Sequence, residues 1–180
     1  MRFLYLLTII LLITSCSNGD EAPDVSGIKV DIQLQRFEPA FFAIDTNDLQ
    51  SSLQRLNSQF PNFTSYFIDG VLGLEIDPPF MTEELRQQIL KQIINGYSSI
   101  NDSVRKKYSD LGWLERDMEN AFRYVKYYYP SYRVPNIMTY VATFDAPGVA
   151  LTPNYLGIGL HQFAGKNFSV YSYQELRTMY

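Results

Sequence analysis

The sequence predicts an α+β fold, mainly helical in its N-terminal part and closed by a late antiparallel β-hairpin. Three observations carry that expectation. Apolar residues recur at helical spacing in stretches that end at Pro61 and Pro130, residues 137–144 are dense in β-branched and aromatic side chains, and residues 28–34 alternate apolar with polar. With 180 residues, 46% of them hydrophobic and 15% aromatic, the chain has enough apolar surface to build an ordinary core, which excludes extensive disorder.

Taken in order, Ile28, Val30, Ile32 and Leu34 set against Lys29, Asp31 and Gln33 predict an opening strand with one buried face, reaching Phe37. Asp45 or Thr46 is placed to cap a helix whose Leu49, Leu53, Leu56 and Phe60 share one face, with Pro61 as the stop. Residues 62–74 are aromatic but aperiodic. Asp77-Pro78-Pro79 then breaks the chain, and Thr82 starts a helix with Leu85, Ile89, Ile93 and Tyr97 as its expected inner stripe.

Asn101 or Asp102 is expected to start a separate helical segment bearing Arg105, Lys106 and Lys107, a basic cluster that reads as a solvated face, with Gly112 as punctuation. Beyond it Leu114, Met118, Phe122, Val125 and Tyr129 form the best-defined amphipathic stripe, ended by Pro130. After Pro135 the texture becomes strand-like. Residues 137–144 lead into the turn Asp145-Ala146-Pro147-Gly148, and residues 149–151 and 155–163 are expected to pair back antiparallel, interrupted at Pro153. At the end, Ser172-Tyr173-Gln174-Glu175 forms a capping box with Tyr171 and Leu176 as a hydrophobic staple. So short a helix is marginal in isolation, which makes a chain shortened relative to a longer protein the expectation.

The N-terminus predicts where the chain works. Arg2 precedes an uncharged apolar run over residues 3–13, and Ile13-Thr14-Ser15-Cys16 is a lipobox: a small residue at the cleavage position followed by the thiol that becomes acylated. A membrane-spanning helix needs roughly 20 apolar residues, so the run is too short to remain as a span. The expected organisation is therefore a signal peptide over 1–15, an acylated Cys16 with a flexible polar tether over 16–27, and a folded domain over 28–180. Lipidation at Cys16, the only cysteine, leaves no thiol for a disulfide, so stability must come from packing.

Formal charge is -4 without long runs of one sign, which gives no electrostatic footprint for nucleic acid. Zinc hydrolysis needs two histidines one helical turn apart, and the chain has one histidine, His161, on a predicted strand where a structural role is the better reading. No Gly-x-Ser-x-Gly turn accompanies it. Gly157-Ile158-Gly159 and Gly165-Lys166-Asn167 lack the remaining glycines of nucleotide-binding loops and read as strand and turn glycines. Glu83-Glu84 and Glu115 with Asp117 fall in early helical turns, where carboxylates complement the helix dipole. Asp102-Ser103-Val104 resembles a short O-glycosylation motif and otherwise reads as a helix cap. Tyr124, Tyr127, Tyr128, Tyr129, Tyr132 and Tyr140 exceed what a core requires; core packing, a protein interface and a saccharide site all remain open for them.

Residues 122–130 (Phe-Arg-Tyr-Val-Lys-Tyr-Tyr-Tyr-Pro), the segment 137–151, and Leu156-Gly157-Ile158-Gly159-Leu160-His161-Gln162-Phe163-Ala164-Gly165 with Tyr171 beyond it resemble the gliding-motility lipoprotein GldB family. The lipobox agrees. That resemblance implies a membrane-anchored envelope protein working with the motility machinery, with no catalytic residue, and a chain shorter than its longer members. It also implies a distant likeness to zincin-like peptidases, here as a shortened fold. The expectation is accordingly a non-enzymatic lipoprotein with a structural or interaction role. Its partners are the membrane and envelope proteins, with no cofactor, metal or small-molecule substrate. The alternatives are an envelope peptidase relative and a glycan-binding surface lipoprotein.

Overall fold

The structure is a computed structural model and describes residues 22–168. Cys16 with its lipobox, and the capping box Ser172-Tyr173-Gln174-Glu175 with Tyr171 and Leu176, lie outside the described residues. The elements run β1 (Leu34–Arg36), α1 (Glu38–Phe42), α2 (Leu49–Gln59), α3 (Phe63–Tyr66) continued by a π-helical turn (Phe67–Val71), α4 (Glu83–Lys107), α5 (Gly112–Tyr128), β2 (Asn136–Tyr140), β3 (Val149–Leu151), β4 (Tyr155–Gly159) and a 3-10 turn (Leu160–Phe163). The class is α+β, as the sequence predicts.

The four strands form one sheet in the order β1-β2-β4-β3. β1 and β4 both run parallel to β2, and only β3 is antiparallel, paired with β4. A hairpin is therefore present, but it joins β3 to β4, and the strand at 137–144 is no part of it. Its turn is built by Thr152: the backbone N–H of Thr152 donates to the Tyr155 carbonyl at 2.8 Å, and Thr152 Oγ1 accepts from the Tyr155 N–H at 2.9 Å. Pro153, which cannot donate to a ladder, falls in this turn. The strand predicted to continue to Phe163 stops at Gly159, and His161 sits in the 3-10 turn.

Several other boundaries differ for physical reasons. The opening strand pairs only over Leu34–Arg36; Val30 and Ile32 keep the predicted alternation but pack on Phe122 and Val125 of α5. The residue at the N-cap of α2 is Asp48, while Asp45 Oδ1 accepts the Asn47 N–H at 2.8 Å in a turn before it. Thr82 caps α4 as predicted, accepting the Leu85 N–H at 3.3 Å. The inner face of that helix is Leu90, Ile93, Ile94, Ile100 and Val104, and Leu85 is exposed. Asn101 and Asp102 start nothing: α4 runs unbroken through both, and Asn101 is buried at mid-helix. α5 starts at Gly112 and ends before Pro130; of its predicted stripe Phe122 is buried and Leu114, Met118 and Val125 are half-buried, whereas Tyr129 follows the last helical residue and is exposed.

The main core lies between the sheet and the first four helices. Phe37, Phe41, Phe60, Phe63 and Phe67 interlock there, with Phe37 ring centroids 4.9 to 5.7 Å from each of the others. The aperiodic aromatic stretch after Asn62 is thus core, wound as a short helix and a π turn that buries Phe67, Ile68 and Val71. Tyr140 presses onto the same layer from β2, 5.5 Å from Phe67. Its ring fixes the glycines of β4: a Cβ on Gly157 or Gly159 would come within 3.0 Å of it. Gly157 and Gly159 are therefore strand glycines that make room for a tyrosine.

One buried charge ties the two ends of the described chain. Glu38 is fully buried, takes Arg36 Nε at 2.6 Å on one oxygen and, on the other, the hydroxyl of Thr139, 101 positions away, at 2.7 Å. Removing one partner of a buried pair leaves the other charge uncompensated. Glu38→Ala should accordingly lower the unfolding free energy by roughly 3–5 kcal/mol, with Thr139→Val costing less; urea midpoints of the two variants check the order.

Candidate functional site

The α5 side of the sheet is covered unevenly. Register places Leu34, Ile137, Leu156 and Leu151 in one cross-sheet row on that side, and Arg36, Thr139, Ile158 and Val149 in the next. Ile137 and Thr139 of β2 are fully buried, whereas Leu151 is 65% exposed and Val149 55%. Phe122 and Val125 of α5 sit over the β1–β2 half. Among the described residues the β4–β3 half is covered only in part: Leu156 and Ile158 reach the Phe122 cluster but stay half-buried, and Val149 and Leu151 are exposed.

That half is an apolar groove of about 420 Å³. Trp113, Leu114 and Met118 of α5 form one wall, and Leu156 and Ile158 the floor, with Val149 on the strand side. Tyr108, Leu160 and Phe163 close the end. Trp113, the only tryptophan of the chain, is 45% exposed there. The Tyr108 hydroxyl donates to the Phe163 carbonyl, and Arg36 Nη1 donates to the Tyr108 carbonyl at 2.8 Å, so the closing residues are fixed to the buried Glu38. Burial raises the Tyr108 phenol above its ordinary value, keeping it a neutral donor.

A second recess of about 510 Å³ adjoins this end, lined by Lys106, Lys107, Ala164 and Phe168 among others. Among the described residues Arg105, Lys106 and Lys107 have no carboxylate partner. They occupy the last turn of α4, where positive charge complements the helix dipole. Two residues of the basic cluster, Lys106 and Lys107, thus line a recess beside the apolar groove.

The remaining sequence candidates resolve into structural roles. His161 is fully buried, with Nε2 3.1 Å from the Thr143 carbonyl and Nδ1 accepting the Ala142 N–H at 3.4 Å, which places the proton on Nε2. Desolvation lowers its pKa to about 4, against the smaller opposing effect of the Thr143 carbonyl. Gln162 continues the clasp, donating to the Phe144 and Ala146 carbonyls at 2.8 and 3.2 Å. Glu83 pairs with Arg86 at 2.8 Å in the first turn of α4. The Glu84 carboxyl is lowered by its own backbone N–H and by Thr82. Glu115 lies in the first turn of α5, and Asp117 is exposed on the same helix. Gly165 has φ +81, which makes it a turn glycine. Ser103 donates back to the Ser99 carbonyl at 2.9 Å inside the C-terminal part of α4, and Val104 is fully buried, so Asp102-Ser103-Val104 does not cap a helix start.

The tyrosine run divides. Tyr140 is core, its hydroxyl donating to the Pro147 carbonyl, and Tyr132 stacks on Phe122 at 6.2 Å. Tyr127, Tyr128 and Tyr129 are exposed at the end of α5, with Tyr127 and Tyr128 edge to face at 88° rather than as a flat platform.

The groove escaped the sequence reading because its lining comes from both α5 and the β3–β4 hairpin. Its signs in the sequence are the basic cluster and Trp113, which stands just ahead of the α5 stripe. Among the described residues, no group of three or more His, Cys, Asp or Glu is placed to hold a metal ion, and no helix is long and apolar enough to cross a membrane.

Fold and site together define a small α+β domain that presents an apolar groove with a cationic lip, its one histidine bound up in holding a loop. The family model described as gliding motility protein GldB matches residues 18–180. The chain belongs to that family, and with it to the proteins of gliding motility. Comparison with curated proteins and with solved structures gave no match.

The buried imidazole makes a pH prediction. Unfolded, His161 binds a proton near 6.5; folded, it stays neutral down to about 4. The unfolded state therefore binds more protons between those values, and stability, complete above 6.5, falls as pH drops toward 4 by up to about 3 kcal/mol. Urea unfolding from pH 7 to pH 4 should show this slope, and His161→Gln should flatten it.

Proposed function

We propose that this chain is an envelope lipoprotein, held at a bilayer by acyl chains on Cys16, that serves the motility machinery in a structural or interaction role and performs no chemistry of its own. The observation that carries the reading is the lipobox Ile13-Thr14-Ser15-Cys16, standing directly ahead of the family match that begins at residue 18. Acylation with two or more chains gives stable anchoring where a single chain gives only marginal binding. The acidic, small-residue stretch after Cys16 supplies a solvated spacer. The non-enzymatic role is supported by the way His161 is committed to backbone groups and by the pairing of Glu38 and Glu83 with arginines. Exposed Tyr127, Tyr128 and Tyr129 offer contact surface of the kind protein interfaces favour.

Mass measurement of the native product should find residues 1–15 removed and acyl groups on Cys16, and metabolic labelling with palmitate should be abolished by Cys16→Ala. An intact leader or a bare thiol on the mature chain would refute the anchor. Crosslinking in whole cells should recover envelope proteins on the mature domain.

A further inference from the structure

We propose that the groove between α5 and the β3–β4 hairpin takes an acyl chain of an anionic phospholipid, with Lys106 and Lys107 at its lip receiving the headgroup phosphate. The groove is apolar along its length, from Met118 and Leu156 to Leu160. Among the described residues, apart from the Trp113 indole N–H, the only side-chain donor in its lining is the Tyr108 hydroxyl, already given to the Phe163 carbonyl. An extended peptide laid there would bury backbone N–H and C=O groups without partners, whereas a hydrocarbon chain has none to satisfy.

The lip supplies the second half of an amphiphile site. Lys107 and Tyr108 are adjacent in sequence, as are Phe163 and Ala164, and each pair contributes one residue to the groove and one to the cationic recess. Lys107 Nζ stands 5.8 Å from the Tyr108 ring centroid. A chain of net charge -4 thus places Lys106 and Lys107, without carboxylate partners among the described residues, beside an apolar slot, which complements an anionic headgroup on a hydrocarbon tail.

The choice of a bilayer lipid as the source rests on the anchored reading proposed above. The stretch from Cys16 to the buried Val25 reaches at most about 30 Å when extended, which keeps the domain within one bilayer thickness of the headgroups.

Trp113 makes the test direct, since fluorescence of the full chain reports on one indole. The chain is mixed with vesicles of phosphatidylcholine containing phosphatidylglycerol, either lipid being brominated on its acyl chains, and flotation is measured on the same samples. Trp113 emission should shift to the blue and be quenched, with brominated phosphatidylglycerol quenching more than brominated phosphatidylcholine. Lys106→Gln and Lys107→Gln should each reduce that preference about fivefold. Val149→Asp, at an exposed rim position, should weaken quenching by both lipids. Flotation with Trp113 still open to acrylamide overturns the groove while leaving the anchor standing. Failure to float, with quenching by soluble acyl-brominated lysophosphatidylglycerol, overturns the anchor and upholds the groove; failure of both overturns both. Trp113 already shielded in the lipid-free chain means that a second copy or residues 169–180 fill the groove, and the proposal falls.

Discussion

The fold turns on a single fully buried carboxylate. Glu38 joins β1 to β2 through Arg36 and Thr139, and Arg36 reaches on to the Tyr108 carbonyl between α4 and α5, whose hydroxyl in turn holds the Phe163 carbonyl beyond β4. Parallel pairing of two strands so far apart in sequence carries a large loop-closure cost that local propensity cannot offset. The Glu38 network supplies a specific, directional reward at the point of closure. The last links of the same relay, Tyr108 and Phe163, are also the residues that close the end of the groove.

A second consequence follows from where α5 sits. Its amphipathic stripe begins at Leu114, but Phe122 and Val125 are the part seated over Ile137 and the incoming Val30 and Ile32. The earlier residues Leu114 and Met118 are only half-buried, and together with Leu156 and Ile158 they line the groove. The helix is thus longer in its apolar face than the sheet area it covers. Val149 and Leu151 remain exposed on the same side because β3 lies beyond the helix altogether. An apolar face this contiguous is uncommon on a chain that works alone in water.

What could be read from the sequence was local. The Thr82 cap, the α5 stripe with its stop at Pro130, and the strand character after Pro135 rest on short-range rules, and the structure has each of them. The misreadings came where local and tertiary preferences disagree. Asn101 and Asp102 have the chemistry of a cap, yet Ile100 and Val104 bury together on either side of them and carry α4 through. Proximity in sequence favours a hairpin between residues 137–144 and the strand that returns after the turn, whereas β2 pairs parallel with β4, whose Gly157 and Gly159 leave room for the Tyr140 ring. Of the site, the basic cluster and the lone tryptophan were visible as residues; that they border one groove depends on Tyr108 meeting Phe163, a contact across 55 positions.

The proposed anchor and groove answer different physical needs. Acyl chains on Cys16, as proposed, would limit the distance of the domain from the bilayer without by themselves setting its orientation. A groove of this size offers modest affinity by itself, yet a tether makes its encounter with lipid effectively intramolecular, so modest affinity is enough. One seated lipid with two lysines at its headgroup would then hold the α5 and β3–β4 side against the membrane. Trp113 stands in the groove wall near the N-terminus of α5, and Tyr127 to Tyr129 lie at its far end. Helical rise separates these groups by about 20 Å. With the first seated at the headgroups, the second is carried away from the groove, where its edge-to-face rings are free to meet a protein.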